Sequence, residues 1–357
     1  MTIKTSQLQA ALKLLDLVPV RAGIRPSEFV RMETAEKGLV FSLASDLLGS
    51  VAVEGEPDGL PPRFYFDRVQ FIPLVLSLDA GRDVEMSRAG ENIVIRQGSR
   101  KASYSAVEEV TGYARVKPEG HQIVLDSDLM DQVKAAMSYI GRASMSPELM
   151  AVWYDSSMPG LLATDRFSVY GAKLKIETKR KSVAFPAALW GAASPGMIWH
   201  SADDSVSLSV PNGALRQTFT EAMASQFPLA PIRKALEGAA KYKPRLRFVA
   251  ARMAEALQRM RACLTSAVSD TASVMVEAAK GKLVVQLVSG QVDLRETVKA
   301  DVLDASASAE WLLSSILPFV SAMPSDAVVE AAWDDGTPFR FSSAKPDRIL
   351  LSPRRAE

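Results

Sequence analysis

The side chains of this 357-residue chain that could do chemistry are few and scattered. Neither of its two histidines, His121 and His200, sits at metal-ligand spacing from the other or from a cysteine, so no zinc site is expected. The one cysteine, Cys263, falls in an apolar helical pattern and reads as a small buried hydrophobe. Adjacent carboxylates occur at Glu108-Glu109, Asp203-Asp204 and Asp334-Asp335. Such neighbours point to opposite faces of a strand, or into solvent from a turn. No phosphate-cradling glycine loop, dinucleotide fingerprint or nucleophile elbow is present. The pattern argues against an enzyme and against a bound metal or cofactor. What remains is cationic and apolar. Lysines and arginines are spaced along amphipathic helical stretches, and the turn Thr164-Asp165-Arg166-Phe167 sets a large aromatic beside an arginine. Helix-borne cations suit phosphates, and an aromatic in a turn suits a protein partner.

Composition bounds these readings. The chain is 48% hydrophobic and 23% charged, as soluble globular proteins are, and its length accommodates two to three domains. With 42 basic and 41 acidic residues it lacks the excess a protein needs to hold DNA by charge over its whole surface. A local basic stripe balanced by acid elsewhere remains compatible with these totals. A single cysteine fits a reducing compartment. The opening MTIKTSQLQAALKLL has no leader-like core, and no window is apolar enough to span a bilayer, so a cytoplasmic protein without a membrane partner is expected.

The elements that must position these residues repeat. GLVFSLASDLLGSVAV (Gly38–Val53), GLLATDRFSVYGAKL (Gly160–Leu174) and GKLVVQLVSGQVDLRETV (Gly281–Val298) recur about every 120 residues. In the first segment, Leu8, Ala11, Leu12 and Leu15 line one face of a helix with Thr5 or Ser6 as its N-cap. A second helix starts at Asp67, paired with Gln70 as a capping box. The second segment has Leu129, Val133 and Ala136 on a helix face, and a short helix after Pro186. The third follows the basic stretch Lys241–Arg247, with Met253, Leu257, Met260 and Leu264 on one helix and Ala309–Ala322 as another. Strand-like runs follow each helix. The order helix, strands, helix, strands thus occurs three times, in domains spanning 1–120, 121–243 and 244–357, an α+β pattern.

These motifs, in this order, resemble the bacterial sliding clamp, the beta subunit of DNA polymerase III. The family's L-x-A-T-D-G-H-R-L stands here as Leu161-Leu162-Ala163-Thr164-Asp165-Arg166-Phe167-Ser168-Val169. Its G-x-F-P-D-Y is echoed by Ser225-Gln226-Phe227-Pro228-Leu229-Ala230, and its terminal M-P-M-R-L by Ser352-Pro353-Arg354-Arg355 after the strand Ile349-Leu350-Leu351. Arg166 replaces the turn glycine, Phe167 the histidine and Ser168 the arginine, while Ser352 and Arg354 replace the tail methionines. Such departures fit a divergent member, for instance one carried by a phage or another mobile element, and bear on partner choice more than on fold.

The resemblance implies three copies of a DNA-clamp domain, with antiparallel sheets outside and amphipathic helices inside. Two protomers would close head to tail into a ring around double-stranded DNA, without reading its sequence. It further implies a processivity role, with the polymerase and the clamp loader docking through a short peptide motif. Lys13, Arg21, Lys134, Arg142, Arg252, Arg259 and Arg261 would face DNA. Thr164, Arg166, Phe167, Val169, Leu350, Leu351, Ser352 and Pro353 would form the partner-peptide pocket. The competing reading is a scaffold of the same fold that does not encircle DNA.

Overall fold

The computed structural model describes the chain except residues 22, 142–145, 159, 220, 266–267, 269–270, 280, 289–292, 345–346 and 354–357. Its elements form six successive half-repeats, each a leading strand, a helix and three further strands. The first repeat comprises β1 (Thr2–Lys4), α1 (Thr5–Leu15), β2 (Phe29–Ala35), β3 (Gly38–Ala44) and β4 (Leu47–Glu54). Its second half is β5 (Arg63–Asp67), α2 (Arg68–Leu76), β6 (Asp83–Ala89), β7 (Asn92–Gln97) and β8 (Arg100–Tyr104). The second repeat comprises β9 (His121–Val124), α3 (Ser127–Ala136), β10 (Ala151–Asp155), β11 (Gly160–Thr164) and β12 (Val169–Lys173). There follow β13 (Ser182–Pro186), α4 (Ala187–Trp190), β14 (Ile198–Ser201), β15 (Ser205–Val210) and β16 (Gly213–Thr218). After a connector helix, α5 (Leu229–Ala239), come β17 (Pro244–Val249), α6 (Ala250–Ala262), β18 (Ser273–Ala279), β19 (Lys282–Val288) and β20 (Arg295–Val302). The chain continues through β21 (Ser308–Leu312), α7 (Leu313–Ser321), β22 (Val328–Ala332), β23 (Phe339–Ala344) and β24 (Asp347–Ser352).

Two pairing rules recur. Within a repeat the halves exchange leading strands: β1 pairs with β6 and β5 with β2, β9 with β14 and β13 with β10, β17 with β22 and β21 with β18. Between repeats, the last strand of a first half pairs with the last strand of the next repeat's second half, β4 with β16 and β12 with β24. Gly213 permits the first of these junctions, since a Cβ there would lie 2.2 Å from the Ser50 carbonyl oxygen on β4.

The chain divides into two compact units. The first, Met1–Asp126 with Pro186–Glu221, holds a four-stranded sheet, β1-β6-β7-β8, and an eight-stranded one, β5-β2-β3-β4-β16-β15-β14-β9. The second, Ser127–Phe185 with Ala222–Glu357, is built on a twelve-stranded sheet, β13-β10-β11-β12-β24-β23-β22-β17-β20-β19-β18-β21. The unit boundary therefore passes through the middle repeat.

The helices present apolar faces to the cores. Leu8, Ala11, Leu12 and Leu15 of α1 are buried, as their spacing predicts, and Phe66 stacks on Phe71 of α2 with ring centroids 4.1 Å apart. In the second unit Trp311 meets Phe341 edge-on at 4.9 Å, and Phe248, Phe319 and Phe339 complete the cluster. Each such ring contributes about 1.5–3 kcal/mol on burial.

Several expectations are corrected. The helix predicted over Ala309–Ala322 begins only at Leu313, because Ser308–Leu312 pairs with β18 and buries Trp311. Lys4, not Thr5 or Ser6, precedes α1; the Thr5 hydroxyl is buried and accepts from Gln97 Nε2 at 3.0 Å. The basic stretch at Lys241–Arg247 runs into β17, with Pro244 at its first position and Leu246 and Phe248 buried. Cys263 is exposed: it stands at the C-cap of α6, one step past the buried stripe of Met253, Leu257 and Met260. Asp67 does cap α2, accepting from the Gln70 amide at 3.2 Å. Among the described residues no helix is long and apolar enough to cross a membrane.

Candidate partner pocket and nucleic-acid face

The β11–β12 turn is a compact polar knot. Asp165 Oδ1 accepts from the amides of Phe167 (2.9 Å) and Ser168 (2.6 Å). The Thr164 hydroxyl accepts from the Arg166 amide (3.0 Å) and donates to the Ser168 carbonyl (2.8 Å). Arg166 is forced to φ +75°, the left-handed region, which costs a residue with a Cβ about 1–2 kcal/mol. A glycine there would escape that cost. The knot leaves the Phe167 side chain 72% exposed.

Phe167 stands at the mouth of a cavity of about 670 Å³. Apolar walls come from Ile140, Leu312, Leu313, Leu317, Pro318 and Pro353, while Asp165, Arg261 and four serines supply polar points. Its floor is braced across two repeats: Tyr139 stacks on Tyr170 at 5.1 Å and donates its hydroxyl to the Ser315 carbonyl at 2.8 Å. Ser168 and Ser315 hydroxyls lie 3.1 Å apart. Burial pushes the Tyr139 phenol well above its ordinary range and the Tyr170 phenol up to about 12, so the floor stays uncharged through neutral pH.

Of the residues assigned to the pocket from sequence, Phe167 and Pro353 line this cavity. Arg166 lies beside it, its guanidinium 3.4 Å from the Ser146 hydroxyl. Thr164, Leu350, Leu351 and Ser352 are buried and Val169 is half-buried. Val169, Leu350 and Leu351 belong to the β12–β24 junction, where Val169 faces Leu351 and Tyr170 faces Leu350, while Thr164 faces Val169 from β11 and Ser352 faces Phe339 of β23. Tyr139, Leu313 and Pro318 come from elements whose sequence shows only helix and strand periodicity, so nothing local marks them as pocket walls. Arg261, read as facing DNA, is in the cavity lining.

The helix-borne cations are unevenly distributed. Lys13 is exposed on α1, and Lys134 on α3 shares a cleft of about 990 Å³ with Asp128 and Asp131. Arg252 pairs with Glu255 at 3.6 Å, Arg21 with Asp46 at 2.5 Å, and Arg259 makes two hydrogen bonds to Glu296 at 2.7 and 2.5 Å. Those bonds hold the Glu296 carboxyl below its ordinary range. Arg142 lies outside the described residues. Helices α4 and α7 contain no Lys or Arg, and the Arg68 of α2 is buried against Asp16. A phosphate would have to compete with existing carboxylates for three of these cations, and exposed pairs of this kind are weak.

At the other end of β10, the buried Asp155 accepts from the Ser157 amide and hydroxyl (2.9 and 2.7 Å) and from Arg233 of α5 (2.5 Å). Burial raises its pKa, but these hydrogen bonds outweigh burial and leave it below the ordinary 3.8. A carboxylate depressed on folding stabilises the fold above its unfolded pKa and loses that contribution as pH falls through its folded one. Asp155→Asn should therefore cost about 1–3 kcal/mol at neutral pH and flatten the loss of stability below pH about 4. Denaturant melts across that window would show it, and an unaltered acid limb would contradict the assignment.

Six βαβββ half-repeats with exchanged leading strands define the fold of the DNA sliding clamps. The structure superimposes on the DNA polymerase sliding clamp of Caulobacter crescentus with a TM-score of 0.82, covering 99% of both chains at 16% identity. The DNA polymerase III subunit beta of Pseudomonas aeruginosa gives 0.80, with both chains fully covered at 14% identity. The beta subunit of Thermotoga maritima gives 0.79, covering 100% of this chain and 99% of that one at 15% identity. The likeness is one of fold over the full length. No family model matches the sequence, and no curated protein matches it.

Proposed function

We propose that this protein is a divergent sliding clamp: a non-catalytic processivity factor that closes as a head-to-tail dimer around duplex DNA and holds its polymerase through the Phe167 cavity. One observation carries the reading. The junction rule that pairs β4 with β16 and β12 with β24 calls for a third pairing, between β20 and the last strand of a following repeat. By the same rule that strand is β8 of a second copy. Both strands have an open edge. Among the described residues β8 pairs only with β7, and β20 is bonded to β17 only at residues 300–302, leaving 295–299 free on that side. Beside the open part of β20 lies a groove of about 510 Å³ in which Val249 and Val328 are partly exposed. An unpaired strand edge flanked by exposed apolar residues favours a second chain. Pairing different edges of identical copies is heterologous and closes when the rotations complete a turn.

The sparse cationic lining agrees with this reading, because encirclement retains DNA by topology and weak phosphate contacts permit sliding. The decisive experiment is retention after loading. The protein should remain on nicked circular DNA and leave once that DNA is linearised. Equal retention on both would reject encirclement and favour the non-encircling scaffold.

A further inference from the structure

The loop between β12 and β13 carries four cations, Lys175, Lys179, Arg180 and Lys181, against a single acid, Glu177. Because β13 lies beyond β10 in the sheet, this loop must cross the ends of β11 and β10. The Ser156 amide donates to the Lys181 carbonyl at 2.9 Å and fixes the crossing at the β10–β11 turn. Helix α5 reaches the same turn through Arg233, which bonds Asp155 and Ser157, and so brings the exposed Lys234 to it.

Two of the acids at this end are engaged. Asp155 is buried beneath Arg233, and Asp347 pairs with Lys173. Glu177 lies in the crossing loop and Glu237 a turn further along α5. Lys175, Lys179, Lys181 and Lys234 have no ion-pair partner among the described residues. The asymmetry extends to the whole unit: its segments contain 26 Lys and Arg against 21 Asp and Glu, while the other unit has 16 against 20.

No large hydrophobic residue is exposed in the crossing loop or on α5. A folded protein partner needs an apolar centre to its interface. A phosphate backbone needs only spaced cations and pays no regard to base identity. The patch is also separate from the partner pocket. Phe167 is on the opposite end of the β11–β12 hairpin, roughly 16 Å away for a five-residue strand.

We propose that this rim binds the phosphodiester backbone of a nucleic-acid strand running outside any encircled duplex. The site is independent of ring closure. The test uses the full chain carrying K179Q, K181Q and K234Q together, and fluorescence anisotropy with short linear DNA, as a duplex and as a single strand of the same sequence. Free ends remove topological retention. The slope of log affinity against log salt should fall in magnitude by about 2–3, and affinity at low salt by about tenfold or more. The arm that responds tells whether the rim holds duplex or single strand. Retention on nicked circular DNA should be unchanged, so failure here is distinguishable from failure of the clamp reading. An unaltered slope in both arms overturns the proposal. So does lysine-dependent binding of polyglutamate without binding of DNA, which would assign the rim to an acidic protein segment.

Discussion

A proline at one of two consecutive positions in β8, Lys101 or Ala102, is expected to leave the protomer folded and weaken self-association about a hundredfold. Successive N–H groups on a strand point to opposite edges, so one of the two faces β7 and the other faces the open side. The outward-facing substitution removes no internal bond, since β8 is an edge strand and tolerates proline there. It does remove a donor from the junction with β20 of the neighbouring copy and places a ring where that strand must approach. The dimer should weaken by about two orders of magnitude, roughly 3 kcal/mol. Sedimentation across micromolar concentrations, with circular dichroism to establish folding, reads this directly. If both proline variants fold and still dimerise, the β8–β20 junction is wrong.

The second large effect is at the pocket. Phe167→Ala should lower affinity for a short apolar peptide by about 10- to 100-fold, the range for losing an aromatic anchor at a binding centre. Because Phe167 is mostly exposed, the melting temperature and the dimer should not change. A titration with fluorescently labelled peptide measures it, and an unchanged affinity would remove Phe167 from the site. Leu351→Ala makes an instructive contrast. Leu351 is only 4% exposed and faces Val169 across the β12–β24 junction, so its truncation should cost about 2–5 kcal/mol of stability. Any peptide affinity lost with it would be a consequence of that damage.

The period of the chain, the helix faces and the turn at its centre are legible in the residues alone. These are local properties: Leu8, Ala11, Leu12 and Leu15 lie on one side of α1 wherever that helix is placed, and Asp165 can tie the Phe167 and Ser168 amides without help from distant residues. Short leading strands such as β9 and β13 are not legible locally, because four or five residues carry little periodicity and become strands only when a partner from the other half-repeat pairs with them. The assembly of the pocket was likewise beyond local reading. Leu350 and Leu351 look like pocket wall and like strand core with equal justice, and only the pairing of β24 with β12 buries them and hands the lining to Tyr139, Leu313 and Pro318. The same holds for the cations. Spacing put Arg259 on an exposed helix face, but it was the approach of β20 that supplied Glu296 as its partner. Periodicity decides which side of an element is apolar; which other element meets that side is decided by long-range pairing, and the site belongs to the meeting.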